Sequence, residues 1–133
     1  PGKAEGILIG GNLAILINLL GSNSDIDFRD KILFLEDVGE YVYAIDRMLW
    51  TLKRAGKLAH LRGLIIGGFS DLKDNDPPFG YSLQKMIMEK VNEYDYPVCF
   101  DFPAGHISDN QALIFGKVVQ LAISQDEVLL DYL

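Results

Sequence analysis

The chain has 133 residues, 49% of them hydrophobic, which suits one domain with a sizeable core. Its 12 Lys and Arg against 19 Asp and Glu give a formal charge of −7, and no basic cluster is present to neutralise a phosphate backbone, so nucleic acid is excluded as an expected partner. The single Cys99 can form no internal disulfide and has no cysteine neighbour with which to share a metal. It is expected to be a small buried apolar residue in a chain made for a reducing compartment.

Pro1-Gly2-Lys3 is turn-like and suggests a linker at a domain boundary. Gly6 to Gly11 then forms a short apolar strand closed by paired glycines. Asn12 is placed to cap a helix rich in Leu13, Ile15, Leu16, Leu19 and Leu20, and Gly21 to stop it. The apolar run from Ile7 to Leu20 is broken by Gly10, Gly11 and Asn12 and is too short to cross a bilayer, and no signal peptide is expected before it.

A polar loop from Gly21 to Asp30 leads to a second strand, Lys31 to Leu35, whose nearly unbroken apolar character predicts a central position. Ile45, Met48, Leu49 and Leu52 follow the i, i+3, i+4, i+7 spacing of an amphipathic helix over Tyr41 to Lys57, ended by Gly56. Leu61 to Ile66 is a third strand closed by Gly67-Gly68. Ser70 to Gly80, with Asp71, Asp74, Asn75, Asp76 and Pro77-Pro78, is expected to be an exposed loop. Leu83, Met86, Ile87 and Val91 mark another amphipathic helix, Tyr96 to Phe100 a short strand, and Asp101 to Asn110 a loop. Lys117 to Ser124 and Glu127 to Tyr132 alternate like the arms of an antiparallel pair. Apolar strands alternating with helices predict the α/β class, with a mixed sheet and terminal antiparallel strands.

Two features carry candidate chemistry: His106, in a glycine-containing loop, and the carboxylates Glu36, Asp37 and Glu40, close behind a buried strand. Ligands of α/β domains usually bind in such loops. A histidine near its ordinary pKa can take and return a proton at neutral pH, and a carboxylate on its other ring nitrogen fixes the tautomer. Glu36 and His106 are candidates for that pair. The plainer alternative stays open from pattern alone: a surface histidine, and a carboxylate that caps the next helix.

Gly10-Gly11-Asn12-Leu13, Ile32-Leu-Phe-Leu-Glu-Asp37, Ile45-Asp-Arg-Met-Leu49, Gly63-Leu-Ile-Ile-Gly-Gly68 and Phe102-Pro-Ala-Gly-His106, in that order, resemble the C-terminal half of the LD-carboxypeptidases across nearly the whole chain. The resemblance implies a single swivelling β/β/α domain over residues 1–133, the C-terminal domain of a two-domain, cytoplasmic serine peptidase. The implied reaction releases D-alanine from murein tetrapeptides in cell-wall recycling, with no metal or organic cofactor.

It further implies that Glu36 is the triad acid and His106 the general base, facing a serine carried by an N-terminal domain outside this sequence. The chain alone is then expected to be inactive. Asp37 and Glu40 rival Glu36 for the acid role but are more simply explained as favourable charges at the start of the Tyr41 helix. Gly11 and Asn12, with Gly10, are candidate substrate contacts, and a tight turn with Asn12 as cap accounts for them equally well. Gly68-Phe69-Ser70-Asp71 looks superficially like the family's nucleophile turn but follows the wrong strand.

Asp46 and Arg47 are expected in a salt link or against the other domain, and His60 is expected to be exposed. The surface bearing Glu36 and His106 is expected to face the other domain and to expose apolar area, through which the chain can pair with a copy of itself as a homodimer. The alternatives carried beside this reading are hydrolysis of a peptide-nucleotide antibiotic, as in immunity-type relatives, and a non-catalytic interaction domain in which Glu36 and His106 lie far apart or bury against the core. A zinc site has poor support, because one well-placed histidine with scattered carboxylates falls short of the usual ligand set.

Overall fold

The structure, a computed structural model, describes residues 1–133. Six strands form one mixed sheet: β1 (Gly2–Asn12), β2 (Lys31–Val38), β3 (Gly63–Ser70), β4 (Val98–Cys99), β5 (Val118–Ile123) and β6 (Val128–Tyr132). Their order is β4-β3-β2-β1-β5-β6. The four strands from β4 to β1 run parallel, whereas β5 pairs antiparallel with both β1 and β6. The fold is therefore α/β with terminal antiparallel strands, as the alternation of elements predicts.

Three helices connect the strands: α1 (Leu13–Leu19), α2 (Val42–Arg54) and α3 (Leu83–Val91). The pleat sends successive strand side chains to opposite faces, and each face has its own core. Ile9, Leu33, Leu35, Leu64 and Ile66 meet the apolar stripes of all three helices, including Leu16, Ile45, Leu49 and Ile87. Leu8, Ile32, Phe34, Ile65, Cys99, Val119 and Leu121 face the other way, against Phe102 and Ala104 of the loop after β4. Cys99 is buried as expected, and burial pushes its thiol up to about 11, which keeps it in the unreactive thiol form.

Several boundaries differ from the sequence reading. The expected linker at Gly2-Lys3 is instead strand, since Gly2 to Ile7 pair with Ile123 to Val118 of β5. The alternation of Lys3, Ala4 and Glu5 is that of a strand with one exposed face. β2 continues three residues past Leu35, so Glu36 and Asp37 lie inside the strand and are buried. β4 is limited to Val98 and Cys99.

One buried cation was not anticipated. Lys90 of α3 has no exposed surface; its ammonium group is paired with Asp46 of α2 and with Glu89, and lies 4.9 Å from the centre of the Trp50 ring. Asp46 is thus in a salt link, as one of its two expected roles, and Arg47 lies over the Tyr43 ring. A buried charge persists only when paired, and here the pair joins α2 to α3.

Candidate active site

The site forms where the C-terminal ends of β1, β2 and β3 meet the loop after β4. That loop hangs from the end of β3: Phe102 N–H donates to Ile66 C=O at 3.0 Å, and Gly68 N–H donates to Ala104 C=O at 2.7 Å. Glycines permit the approach. A Cβ on Gly67 would stand 2.4 Å from Ala104 O and 2.6 Å from the Phe34 ring, and one on Gly105 would stand 2.8 Å from Glu36 Cβ. Gly105 also has φ +109°, a conformation that other L-residues rarely adopt. Asn110 Oδ1 closes the loop by accepting from Gly105 N–H at 2.9 Å.

This architecture brings together two residues 70 positions apart. His106 Nδ1 lies 2.5 Å from Glu36 Oε2, and a carboxylate only accepts, so the Nδ1–H donates. The neutral ring then carries its free lone pair on Nε2, which has no hydrogen-bond partner in the chain. Glu36 is buried while the imidazole is about half exposed, with 51% of its side-chain surface accessible. The hydrogen bond that His106 donates to Glu36 and the negative charge of Glu36, with a smaller contribution from Asp37, raise the His106 pKa above its ordinary value against a modest opposing effect of burial.

The pleat separates the neighbouring carboxylates. Glu36 follows Ile32 and Phe34 onto the loop-covered face, whereas Asp37 follows Leu33 and Leu35 towards the helices. Asp37 does not serve the start of α2, as its position in the sequence suggests. Its Oδ2 accepts from Ala14 N–H at 3.0 Å, in the first turn of α1, and its Oδ1 accepts from Asn12 Nδ2 at 2.9 Å and from Val38 N–H at 2.8 Å. Nor does Glu40 lie in the first turn of α2, which has no acidic residue: it precedes the N-cap Tyr41, and its carbonyl accepts from Lys73 N–H.

A cleft of about 380 Å³ opens beside the pair, lined by Gly11, Phe34, Glu36 and His106 together with Gln111 and Phe115 of the following loop. The Phe34 and Phe115 rings lie 6.1 Å apart. Gly11 has φ +138° and open space where a Cβ would be. Asn12 is an N-cap, its Oδ1 accepting from Ile15 N–H at 3.1 Å. Asn110, Gln111 and Phe115 were missed by sequence reasoning, since nothing in their spacing marks them; an asparagine shortly after a Gly-His pair is at most a hint of loop closure. Ser70 ends β3, half-buried and outside the cleft lining, with its carbonyl bonded to Gly39 N–H. His60 is exposed, as expected. No three His, Cys, Asp or Glu side chains are grouped to hold a metal ion.

A family model described as the LD-carboxypeptidase C-terminal domain matches residues 5–121. The chain belongs to this family. Among relatives of this LD-carboxypeptidase domain, a Bacillus subtilis protein named "Probable murein peptide carboxypeptidase" is 34% identical over 131 residues, covering 98% of this chain and 41% of the relative. The murein tetrapeptide carboxypeptidase of Pseudomonas aeruginosa is 32% identical over 120 residues, covering 90% of this chain and 38% of its own. The crystal structure of muramoyltetrapeptide carboxypeptidase from Oxalobacter formigenes superposes with a TM-score of 0.88 at 33% identity, covering 98% of this chain and 46% of that one. The microcin C7 self-immunity protein MccF shares the fold, with a TM-score of 0.86 at 23% identity, covering 98% of this chain and 39% of its own. The LD-carboxypeptidase domain thus spans about two fifths of the length of the curated relatives it matches. No helix is long and apolar enough to cross a membrane.

Proposed function

We propose that this domain supplies the acid and base of a serine-type LD-carboxypeptidase that releases the terminal D-alanine of murein tetrapeptides, with Glu36 as the orienting acid and His106 as the general base. The observation that carries this reading is the 2.5 Å hydrogen bond from His106 Nδ1 to the buried Glu36, which leaves Nε2 unpaired beside an open cleft. The murein names of relatives at 32–34% identity support the choice of substrate.

In this mechanism a serine from an N-terminal domain of the full-length protein gives its proton to His106 Nε2. The alkoxide attacks the carbonyl before the terminal D-residue, His106 returns the proton to the leaving amine, and a water that His106 then deprotonates cleaves the acyl-serine and restores the hydroxyl. Glu36 holds the tautomer and stabilises the imidazolium formed midway. Gly11, which lines the cleft, is assigned a contact with the substrate backbone, and Asn12, next to it at the start of α1, is assigned a second. Because His106 must be neutral to act as a base, its raised pKa shifts the rise of activity to a pH above that of an ordinary imidazole.

The exposed Ile107, Ile114 and Phe115 support a surface covered by the N-terminal domain, with a second copy of the chain as the competing occupant. This reading includes a role in cell-wall recycling in the cytoplasm. The immunity-type reading is less favoured, because MccF shares 23% identity and so shows the fold alone.

The test measures D-alanine release from a murein tetrapeptide by the full-length protein, by its His106→Ala variant and by this chain alone. Turnover by the full-length protein only is expected. Turnover by residues 1–133 alone would overturn the assignment of the nucleophile to another domain and return attention to Ser70.

A further inference from the structure

We infer that Asp37, which touches neither the cleft nor His106, is a positioning residue that locks the Gly11 wall and the Glu36–His106 pair in register. The inference rests on the function proposed above and adds a residue to it. Asp37 is 2% exposed and lies beside Glu36 on the opposite face of β2. Its carboxylate takes three donors from three local elements: the Asn12 amide at the end of β1, the Ala14 N–H in the first turn of α1 and its own neighbour Val38. One group thus fixes the β1–α1 turn, which carries Gly11, to the part of β2 that carries Glu36.

Two further features give such a lock a purpose, added to the β1–β2 ladder that runs as far as Asn12 opposite Glu36. Gly10 and Gly11 have φ +134° and +138°, so the backbone entering the turn lies where most residues have no stable conformation. Gly10 also packs directly on the backbone of Phe34, where a Cβ would come within 1.9 Å of the carbonyl oxygen. The β2–β3 register also slips here: Leu35 is opposite Ile66 but Asp37 is opposite Phe69, so two residues of β2 span three of β3 at Gly67-Gly68. At Glu36 the ladder to β3 is therefore irregular, and the bonds of Asp37 tie this segment to its other neighbour, β1.

Asparagine cannot replace this carboxylate. All three partners donate, so whichever way the amide of an Asp37→Asn variant is turned, its NH2 faces at least one N–H. Residues that orient a functional group from behind typically change activity by roughly 10- to 100-fold when replaced.

The experiment compares Asp37→Asn with the parent in two readouts. In the 133-residue chain, proton NMR follows the low-field resonance of the His106 Nδ1–H. In the full-length protein, kcat and KM on a murein tetrapeptide are measured per folded molecule, with folding monitored by far-ultraviolet circular dichroism. The expected result is an upfield shift or loss of that resonance and a fall in kcat of roughly 10- to 100-fold. An unchanged resonance with kcat within about twofold of the parent, even at a lower melting temperature, would mean that Asp37 only stabilises the fold.

Should Asp37→Asn fail to fold, Asn12→Ser keeps a capping oxygen for Ile15 N–H but cuts the link to Asp37. The resonance is then expected to move in the same direction, and its constancy overturns the inference. The NMR arm does not depend on turnover. Full activity in His106→Ala would therefore defeat the proposed function and leave the structural link between Asp37 and the pair to be judged on the resonance alone.

Discussion

The two faces of the sheet are built for different purposes. On one, three helices cover a continuous core from Ile9 to Val91, and even the one buried cation, Lys90, is paired. On the other, a smaller core is covered largely by the loop after β4, which leaves Ile107, Ile114 and Phe115 exposed and a cleft open beside His106. Stability is concentrated where packing is complete. The groups proposed to react lie where it is not, in keeping with the proposed role of His106, whose Nε2 must stay free. The adjacent residues Glu36 and Asp37 mark the division, one on each face.

Substitutions on the two faces should therefore separate activity from stability. His106→Ala is expected to have the largest effect, lowering kcat of the full-length protein by about 10³-fold or more, with little change in melting temperature because the ring is half exposed. A parallel loss of helical circular dichroism at assay temperature would instead mean that the site face also holds the fold together. Leu49→Ala, on the helix-covered face, should do the reverse. Removing a side chain from a residue that is 2% exposed is expected to cost about 2–5 kcal/mol in urea unfolding, with kcat per folded molecule preserved.

Gly105→Ala lies between these extremes. Its Cβ would meet Glu36 at 2.8 Å and its φ of +109° would be strained, so a cost of about 1–3 kcal/mol is expected together with a marked loss of activity. Normal activity would show that the loop can move without disturbing the pair.

The smallest effect concerns pH. Glu36 raises the His106 pKa, so the folded state favours the protonated ring. This stabilisation is complete below the unfolded value, about 6.5, and is lost as pH rises through the raised folded value. Melting temperatures of the parent should accordingly fall across that window, and Glu36→Gln should flatten the fall. A Gln variant with an unaltered pH profile would place the cause elsewhere.

Much of the fold was legible in the sequence because each helix buries one stripe and the central strands bury both faces. The spacing of Ile45, Met48, Leu49 and Leu52 marked α2, and the alternation after Lys117 marked the terminal pair. The end of β2 was not legible. Two carboxylates after Leu35 have the composition of a strand terminus, and only the tertiary partners of Glu36 and Asp37, 70 and 25 positions away at His106 and Asn12, make their burial tolerable. The same distance in sequence hid the link from Asp37 to α1, where local spacing pointed to α2. Lys90 was hidden for a similar reason: a lysine on a helix is expected in water, and its burial depends on Asp46 of another helix. For the site, residue types and resemblance pointed to Glu36 and His106, while the loop from Asn110 to Phe115 carried no periodic signal.

Trp50, the only tryptophan in the chain, is a part-buried residue of α2, with the ammonium of Lys90 from α3 4.9 Å from its ring centre. It is a built-in optical reporter that is blind to the cleft. Its emission follows the docking of the two helices, and the nearby cation makes it sensitive to small separations between them. A ligand that fills the cleft should leave the spectrum unchanged, whereas a shift in wavelength on binding would reveal mechanical coupling through the sheet that no single contact in the structure suggests.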